Sequence, residues 1–356
     1  MQTSQSLLIK NIITDAIKRG AVDLHLSVGN NPVLRLNGEL VYLDNYKVIT
    51  QEFMDTWTES LLNEQQKKCL YEDREVVLTH NFDKQLRFKI NLYYQRGYLS
   101  STLRYIPAIV PTIDSLGLNP ILKDLSRTEK GLVIISGAFG SGRSTTIAAM
   151  IEEINQQQKK YIITIEDPIE YLFINKKSII EQREIGRDVN SYSEAVKYFQ
   201  EEDGDVLCLE EIDGPMVIPE VLEIAGGGAL VLTTVSATSA SNTVSRILNS
   251  FTSLDLSRVR DLLANSLFAV VCQKIVPKIG GGVEVIGEVM IVNDAIRSII
   301  MSGNIAQIDN IIQTSRKEGM ISFDNQLAKL VQARKIAISD AMDNTANKKL
   351  FENLIK

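Results

Sequence analysis

The sequence predicts an α/β fold in two domains, and three observations lead there. Strand-like and helix-like patterns alternate along most of the 356 residues. A segment with two prolines, Pro107-Ala-Ile-Val-Pro-Thr112, interrupts that alternation and reads as an extended linker. Beyond it, a β-branched run passes through a glycine-rich turn into a helix, and further strands and helices follow in turn.

Taken in order, residues 4–19 carry apolar side chains at helical spacing, with Gly20 as the stop. Asp23 to Val28 and Pro32 to Leu36 alternate like strands, and Asn37-Gly38 is a hairpin signal. Thr50 to Leu62 and Glu64 to Tyr71 read as helices. Glu75 to Leu78, Leu86 to Tyr93 and Tyr98 to Tyr105 read as strands. The expected domains are therefore 1–106, a linker at 107–120, a second α/β domain at 121–293 and a helical region at 294–356. In the second domain, strands are expected at Tyr161 to Ile165, Asp205 to Leu209, Leu230 to Val235 and Phe268 to Ile275. Helical patterns lie between the first of these, which implies a largely parallel sheet covered on both faces. Ile279-Gly-Gly-Gly282 reads as a hairpin, with Val283 to Met290 returning, and Gly303 and Gly319 break the helices that follow.

The chemistry is expected around Gly131-Leu-Val-Ile-Ile-Ser-Gly-Ala-Phe-Gly-Ser-Gly-Arg-Ser-Thr-Thr146. Gly137, Gly140 and Gly142 allow backbone N–H groups to curl around an anion, and the following helix adds its partial positive charge. Gly137, Gly142 and Ser144 meet the spacing of a phosphate-binding loop, with Ser141, Ser144 and Thr145 as further ligands and Ser144 placed for Mg²⁺. The position of the usual lysine holds Arg143, a longer, planar and forked cation. A glycine-rich turn without a ligand is the plainer reading of such a loop, and the strand-to-helix context favours the phosphate site.

Two predicted strands end in carboxylates. Thr164-Ile-Glu-Asp-Pro-Ile-Glu170 carries three, and Asp205-Val-Leu-Cys-Leu-Glu-Glu211 is an apolar run ending in two. Strand ends beside a phosphate loop are where Mg²⁺ and the attacking water are positioned. Either run is also compatible with a strand that turns polar as it reaches solvent. Arg96 and Arg104, on the last two strands before the linker, are candidates for reaching a γ-phosphate or are solvated charges.

Composition narrows the classes. Acidic residues outnumber basic ones 44 to 38, for a net charge of −6, which argues against a broad nucleic-acid surface. The three cysteines lie far apart, so no zinc site or disulfide framework is expected. No signal-peptide pattern or transmembrane-length apolar run is found, so a cytosolic protein is expected. His25 and His80 both precede the glycine-rich loop, which leaves the second domain without a histidine.

These residues resemble the type IV pilus retraction ATPases, the PilT/PilU family of secretion-superfamily motors. The resemblance runs over nearly the whole chain. Asp23-Leu-His-Leu-Ser, Tyr94-Gln-Arg-Gly97 and Leu103-Arg-Tyr-Ile-Pro107 are similar to the family's first and last N-domain strands. Ile163 to Glu170 resembles its Asp box, with Gln182-Arg-Glu184 after it. Glu211 falls on the Walker B glutamate, and Ala295-Ile-Arg297 is similar to part of a late retraction-branch signature. The resemblance implies a PAS-like N-domain, a RecA-like C-domain with a helical tail, and ATP with Mg²⁺ as cofactor. It further implies a hexamer, alone or mixed with a paralogous retraction ATPase, at an inner-membrane pilus platform, driving pilus disassembly and twitching motility. Glu166, Glu211, Arg96 and Arg104 take the family's catalytic places, with Lys89 where a further arginine is usual.

The departures from the family pattern fall on chemistry. Arg143 replaces lysine, Glu210 replaces a glycine, and Glu211-Ile-Asp-Gly214 replaces E-x-R-D. Ala229 and Ser236 replace the two histidines of the His box. The expected function is a retraction motor protein with weak or absent hydrolysis. Two alternatives stay open: a catalytically inactive structural or regulatory subunit, and a type II secretion-type or DNA-translocating motor.

Overall fold

The computed structural model describes residues 2–36, 38–83, 86–212, 214–345 and 347–355. Asn37 of the expected hairpin turn and Asp213 lie outside them. Two compact units emerge, Met1–Ile109 with Pro168–Leu172, and Val110–Asp167 with Phe173–Lys356.

The first unit begins with α1 (Gln2–Lys18), β1 (Asp23–Ser27), β2 (Val33–Leu36) and β3 (Glu39–Tyr42). Then come α2 (Gln51–Leu61), α3 (Glu64–Asp73), β4 (Glu75–Asn81), β5 (Arg87–Gln95) and β6 (Tyr98–Ile106). Its strands form an antiparallel sheet in the order β3-β2-β1-β6-β5-β4. Local chemistry sets the helix starts: Thr50 accepts from the Phe53 N–H, and Asn63 and Gln66 cap each other reciprocally. Along β5 the alternation is clean. Phe88, Ile90 and Leu92 are buried, and Arg87, Lys89 and Asn91 occupy the opposite face. The buried face packs with Ile12, Ile13, Met54 and Trp57 from the helices. On the other face, register aligns Arg35, Asp23, Arg104 and Lys89 across four strands.

The second unit holds α4 (Ile121–Ser126), β7 (Gly131–Gly137), α5 (Arg143–Gln157), β8 (Tyr161–Glu166) and β9 (Ile179–Glu184). It continues through α6 (Tyr192–Phe199), β10 (Val206–Leu209), α7 (Ile218–Gly227), β11 (Leu230–Ser236), α8 (Ala240–Asn249) and α9 (Leu256–Ser266). The hairpin β12 (Leu267–Pro277) and β13 (Val283–Ile291) leads to α10 (Asp294–Ser302), α11 (Ile308–Thr314), α12 (Phe323–Gln332), α13 (Ile338–Asn344) and α14 (Lys348–Ile355). The sheet order is β13-β12-β7-β11-β10-β8-β9, parallel except for the β12–β13 hairpin. Side chains of β7 alternate between two cores. Val133 and Ile135 pack with α4 and α5, and Leu132 and Ile134 with the core that α6 to α11 build on the other face. This double coverage is why the parallel strands read as continuous apolar runs. Helices α12 to α14 bury Phe323, Leu327 and Phe351 against Cys272, Val276 and Ile286 of the hairpin.

Two expectations need correction, and one strand was not foreseen. Arg96 is not on a strand. It sits with Gly97 in the two-residue turn between β5 and β6, at φ values of 51° and 85°. Both central residues are left-handed, as a type I′ hairpin requires, and arginine bears that strain where asparagine or glycine is usual. Strand β9 was not expected, because Ile179-Ile-Glu-Gln-Arg-Glu184 lacks the apolar alternation of a half-buried strand. It is an edge strand, where polar side chains are tolerated. The second correction concerns Ala229, described with the site below.

Candidate active site

The phosphate loop is shaped by its glycines. A Cβ at Gly137 would stand 2.2 Å from Ser141 Oγ and 2.7 Å from the Gln273 carbonyl, so the loop and β12 close directly over that backbone. Gly140 and Gly142 take φ values of 78° and 88°, a region that costs a residue with a Cβ roughly 1 kcal/mol or more. Gly142 is the N-cap of α5, a 15-residue helix, and supplies no side-chain cap, so the start of that helix keeps its preference for an anionic acceptor. Ser144 and Thr145 are half-buried in that first turn. Thr146 is buried and hydrogen-bonded to Gln273, which anchors the turn on β12. Phe139 points outward and is 85% exposed.

Two polar atoms of the loop are buried without a hydrogen-bond partner, Ser141 Oγ and Arg143 Nη1. The Arg143 side chain is only 14% exposed, and its Nη1 lies 3.5 Å from Glu211 Oε1. Glu211 in turn accepts the Ser236 N–H at 3.0 Å. The end of β11 thereby holds the carboxylate that faces the arginine.

The other carboxylates gather at the neighbouring strand ends. Glu166 Oε1 accepts from Thr164 Oγ1 at 2.6 Å and from Gln182 Nε2 at 3.1 Å. The unexpected strand β9 therefore has a purpose: Gln182 orients Glu166, and its own Oε1 accepts the Phe173 N–H at 3.0 Å. Glu210 does not point at the loop as an isolated second carboxylate. Its Oε2 accepts the Asp167 N–H at 2.9 Å, tying β10 to the turn after β8. Burial, then Glu210, Asp167 and Glu166, hold the Tyr192 phenol well above its usual range, so one tyrosine faces three acids.

Ala229 is not part of this shell. It precedes β11, whose first residue pairs with Gly131 and whose last, Ser236, pairs with Gly137. Seven residues of strand put Ala229 roughly 23 Å from the loop end. Of the two replaced histidine positions, only Ser236 adjoins Glu211.

Arg104 and Arg96 belong to the first unit. Arg104 makes a forked pair with Asp23, Nε to Oδ1 at 2.8 Å and Nη2 to Oδ2 at 3.3 Å. That pairing, with some help from Glu170, raises the Arg104 pKa further. Arg96 lies at the turn end of the same hairpin, roughly 20 Å of strand from Arg104. Within one unit the two guanidinium groups therefore do not meet on a single phosphoryl group. Lys89, named above for a missing arginine, is 2.8 Å from Glu170, and Arg87 donates to the carbonyls of Glu170 at 2.8 Å and Ile169 at 2.6 Å.

The comparisons with known proteins agree with this architecture. A family model described as Type II/IV secretion system protein matches residues 112–285. The type IV pilus retraction ATPase PilT of Pseudomonas aeruginosa is 34% identical over 335 residues, 94% of this chain and 97% of that protein. The chain belongs to the PilT/PilU family of type IV pilus retraction ATPases. The type IV pilus ATPase PilU of the same organism is 31% identical over 327 residues, 92% of this chain and 85% of its own length. A crystal structure titled as the pilus retraction motor PilT with bound ADP superposes with a TM-score of 0.85 at 34% identity, covering 96% of this chain and 98% of that one. The family fold is thus present throughout: a PAS-like sheet domain, a RecA-like phosphate-loop domain and the C-terminal helices. Among the described residues, no helix is long and apolar enough to cross a membrane.

Proposed function

We propose that this protein is a nucleotide-binding subunit of a type IV pilus retraction machine whose hydrolysis of ATP is weak or absent. The observation that carries the reading is the Arg143 guanidinium, largely buried, its Nη1 without a hydrogen-bond partner at the mouth of an uncapped helix. A buried cation beside a helix N-terminus suits an anion, and phosphate oxygens are natural partners for Arg143 Nη1 and Ser141 Oγ. In this reading Gly137, Gly140, Ser141, Gly142, Arg143, Ser144 and Thr145 hold the phosphates of ATP or ADP. Ser144 supplies a hydroxyl to Mg²⁺, which neutralises charge on the phosphates when bound. Glu211 and Glu166 orient water near them. Arg104 acts on phosphates only after it is drawn from Asp23, and Arg96 serves a different contact.

Weak turnover follows from the same geometry. An arginine in the loop presents a fork where a compact ammonium is usual. It also draws on the carboxylate that would orient the attacking water. The relatives' names support a place in a type IV pilus retraction machine. In this reading the subunit sits in a ring, pure or mixed with an active paralogue, at the inner-membrane pilus platform on the cytoplasmic side. Calorimetry with Mg-ADP and Mg-ATP tests the first part: micromolar binding by the wild type is expected, with tighter binding by Arg143→Lys. Absence of binding in both proteins rejects nucleotide as the ligand. Steady-state turnover tests the second part. Rapid hydrolysis by the wild type, abolished in Glu211→Gln, rejects the weak-motor reading.

A further inference from the structure

A groove of about 460 Å³ opens on the second unit, between α8, α9 and the segment that follows α10. It is lined by the apolar side chains of Leu248, Leu256 and Ile305 and by amide side chains such as those of Asn249 and Gln307. Arg260 is the charged residue among those lining it, and no carboxylate does so among the described residues. Among those residues Arg260 has no hydrogen bond or ion pair, and its Nε is buried without a partner. Nearby arginines are matched. Arg258 reaches Glu223 at 2.7 Å, and Arg297 reaches Asp294 at 3.1 Å and the Ala264 carbonyl at 2.9 Å.

The guanidinium is also held in place. A Cβ on Gly303 would lie 2.6 Å from Nη2 and 2.8 Å from Cζ, so the end of α10 is shaped around it. Fixing a cation while removing part of its hydration is costly unless an anion replaces the water. Inorganic phosphate prefers a shell of donors. Amides, which both donate and accept, fit a peptide backbone beside the charged group. Apolar flanks complete the character of a protein-recognition groove.

We infer that this groove binds an acidic segment of a partner protein, with a carboxylate side chain paired to Arg260. This goes beyond the nucleotide site and does not depend on it. The competing role is structural: Arg260 stands at the C-terminal end of α10, where a cation also favours the helix.

A random dodecapeptide library displayed on phage and panned against the full-length protein separates the two. The expected result is enrichment of peptides rich in Asp and Glu. A fluorescein-labelled copy of the best peptide should then bind Arg260→Gln at least about tenfold more weakly than the wild type. Leu256→Glu, which places a carboxylate one helical turn before Arg260 and in competition with that of the peptide, should weaken it similarly and keeps the test available if Arg260→Gln does not fold. No acidic enrichment, or equal affinity for the wild type and whichever of these variants folds, overturns the inference. A lowered melting temperature in Arg260→Gln with unchanged peptide affinity assigns Arg260 to the helix end alone.

Discussion

Arg143 Nη1 faces Glu211 Oε1 at 3.5 Å, and the Ser236 N–H donates to that same oxygen at 3.0 Å. One carboxylate oxygen therefore stands between the loop cation and the end of β11. In the proposed function a phosphate must compete with Glu211 for Arg143. A partly exposed ion pair is worth about 0.5–1 kcal/mol. Glu211→Gln should therefore bind Mg-ADP about threefold more tightly than the wild type by calorimetry. Equal or weaker affinity rejects the competition while leaving binding itself intact.

Gly137 is the closest backbone approach in the site. Gly137→Ala forces a methyl group into Ser141 Oγ and the Gln273 carbonyl, and the latter is backbone that has little freedom to move. A stability loss of about 1–3 kcal/mol is expected, as for overpacked cores. Urea unfolding followed by circular dichroism measures it, and a change below about 0.5 kcal/mol would show that the loop lifts from β12 at little cost.

Glu288 on β13 accepts the Ala240 N–H at 2.8 Å, at the start of α8. It is 9% exposed, and burial is the main cause that raises its pKa to about 7. The unfolded chain, with an ordinary glutamate, releases this proton near pH 4.5. Between the two values the folded state binds more protons, so stability falls as pH rises from about 4.5 through 7. The full span is on the order of 3 kcal/mol. Glu288→Gln should flatten this slope, gaining on the wild type between pH 5 and pH 8 in thermal melts. Parallel curves for the two proteins over that range would exclude a titrating Glu288.

Asp23 is buried, whereas its partner Arg104 is half exposed. Asp23→Ala removes both arms of the fork, but Arg104 retains access to water, so the cost should be modest, about 1–2 kcal/mol in urea unfolding. Arg104→Ala should cost more, because it strips a buried carboxylate of its forked partner. The reverse order would mean that Asp23 is hydrated.

Much of this was legible in the sequence, and the reasons are physical. Gly137, Gly140 and Gly142 announce a loop because backbone geometry there excludes a side chain. The alternation from Arg87 to Leu92 announces a half-buried strand because pleating is strictly two-fold. Helix starts near Thr50 and Asn63 follow from local capping. What stayed hidden depends on tertiary placement. Strand β9 carries no hydrophobic period, because its pairing with β8 is through backbone at an edge. Arg96 sits in a turn that glycine and asparagine usually advertise. Ala229 and Ser236 look like one motif, yet they lie at opposite ends of one strand. The hold of Gln182 on Glu166 joins residues from two strands, and the missing partner of Arg260 is a property of a surface that only folding assembles.

The five residues Pro168–Leu172 fold with the first unit, although the sequence on either side of them belongs to the second. The polypeptide thus passes between units three times, after Ile109, after Asp167 and after Leu172. No single cut in the chain releases an intact half. A fragment ending at Ile109 would lack the carbonyls that Arg87 grips and the carboxylate that Lys89 neutralises. A fragment starting at Val110 would carry those groups as an unanchored loop. Dissection of this protein by truncation would thus compare two damaged pieces, and inserted fusions or reporters are best placed away from residues 168–172.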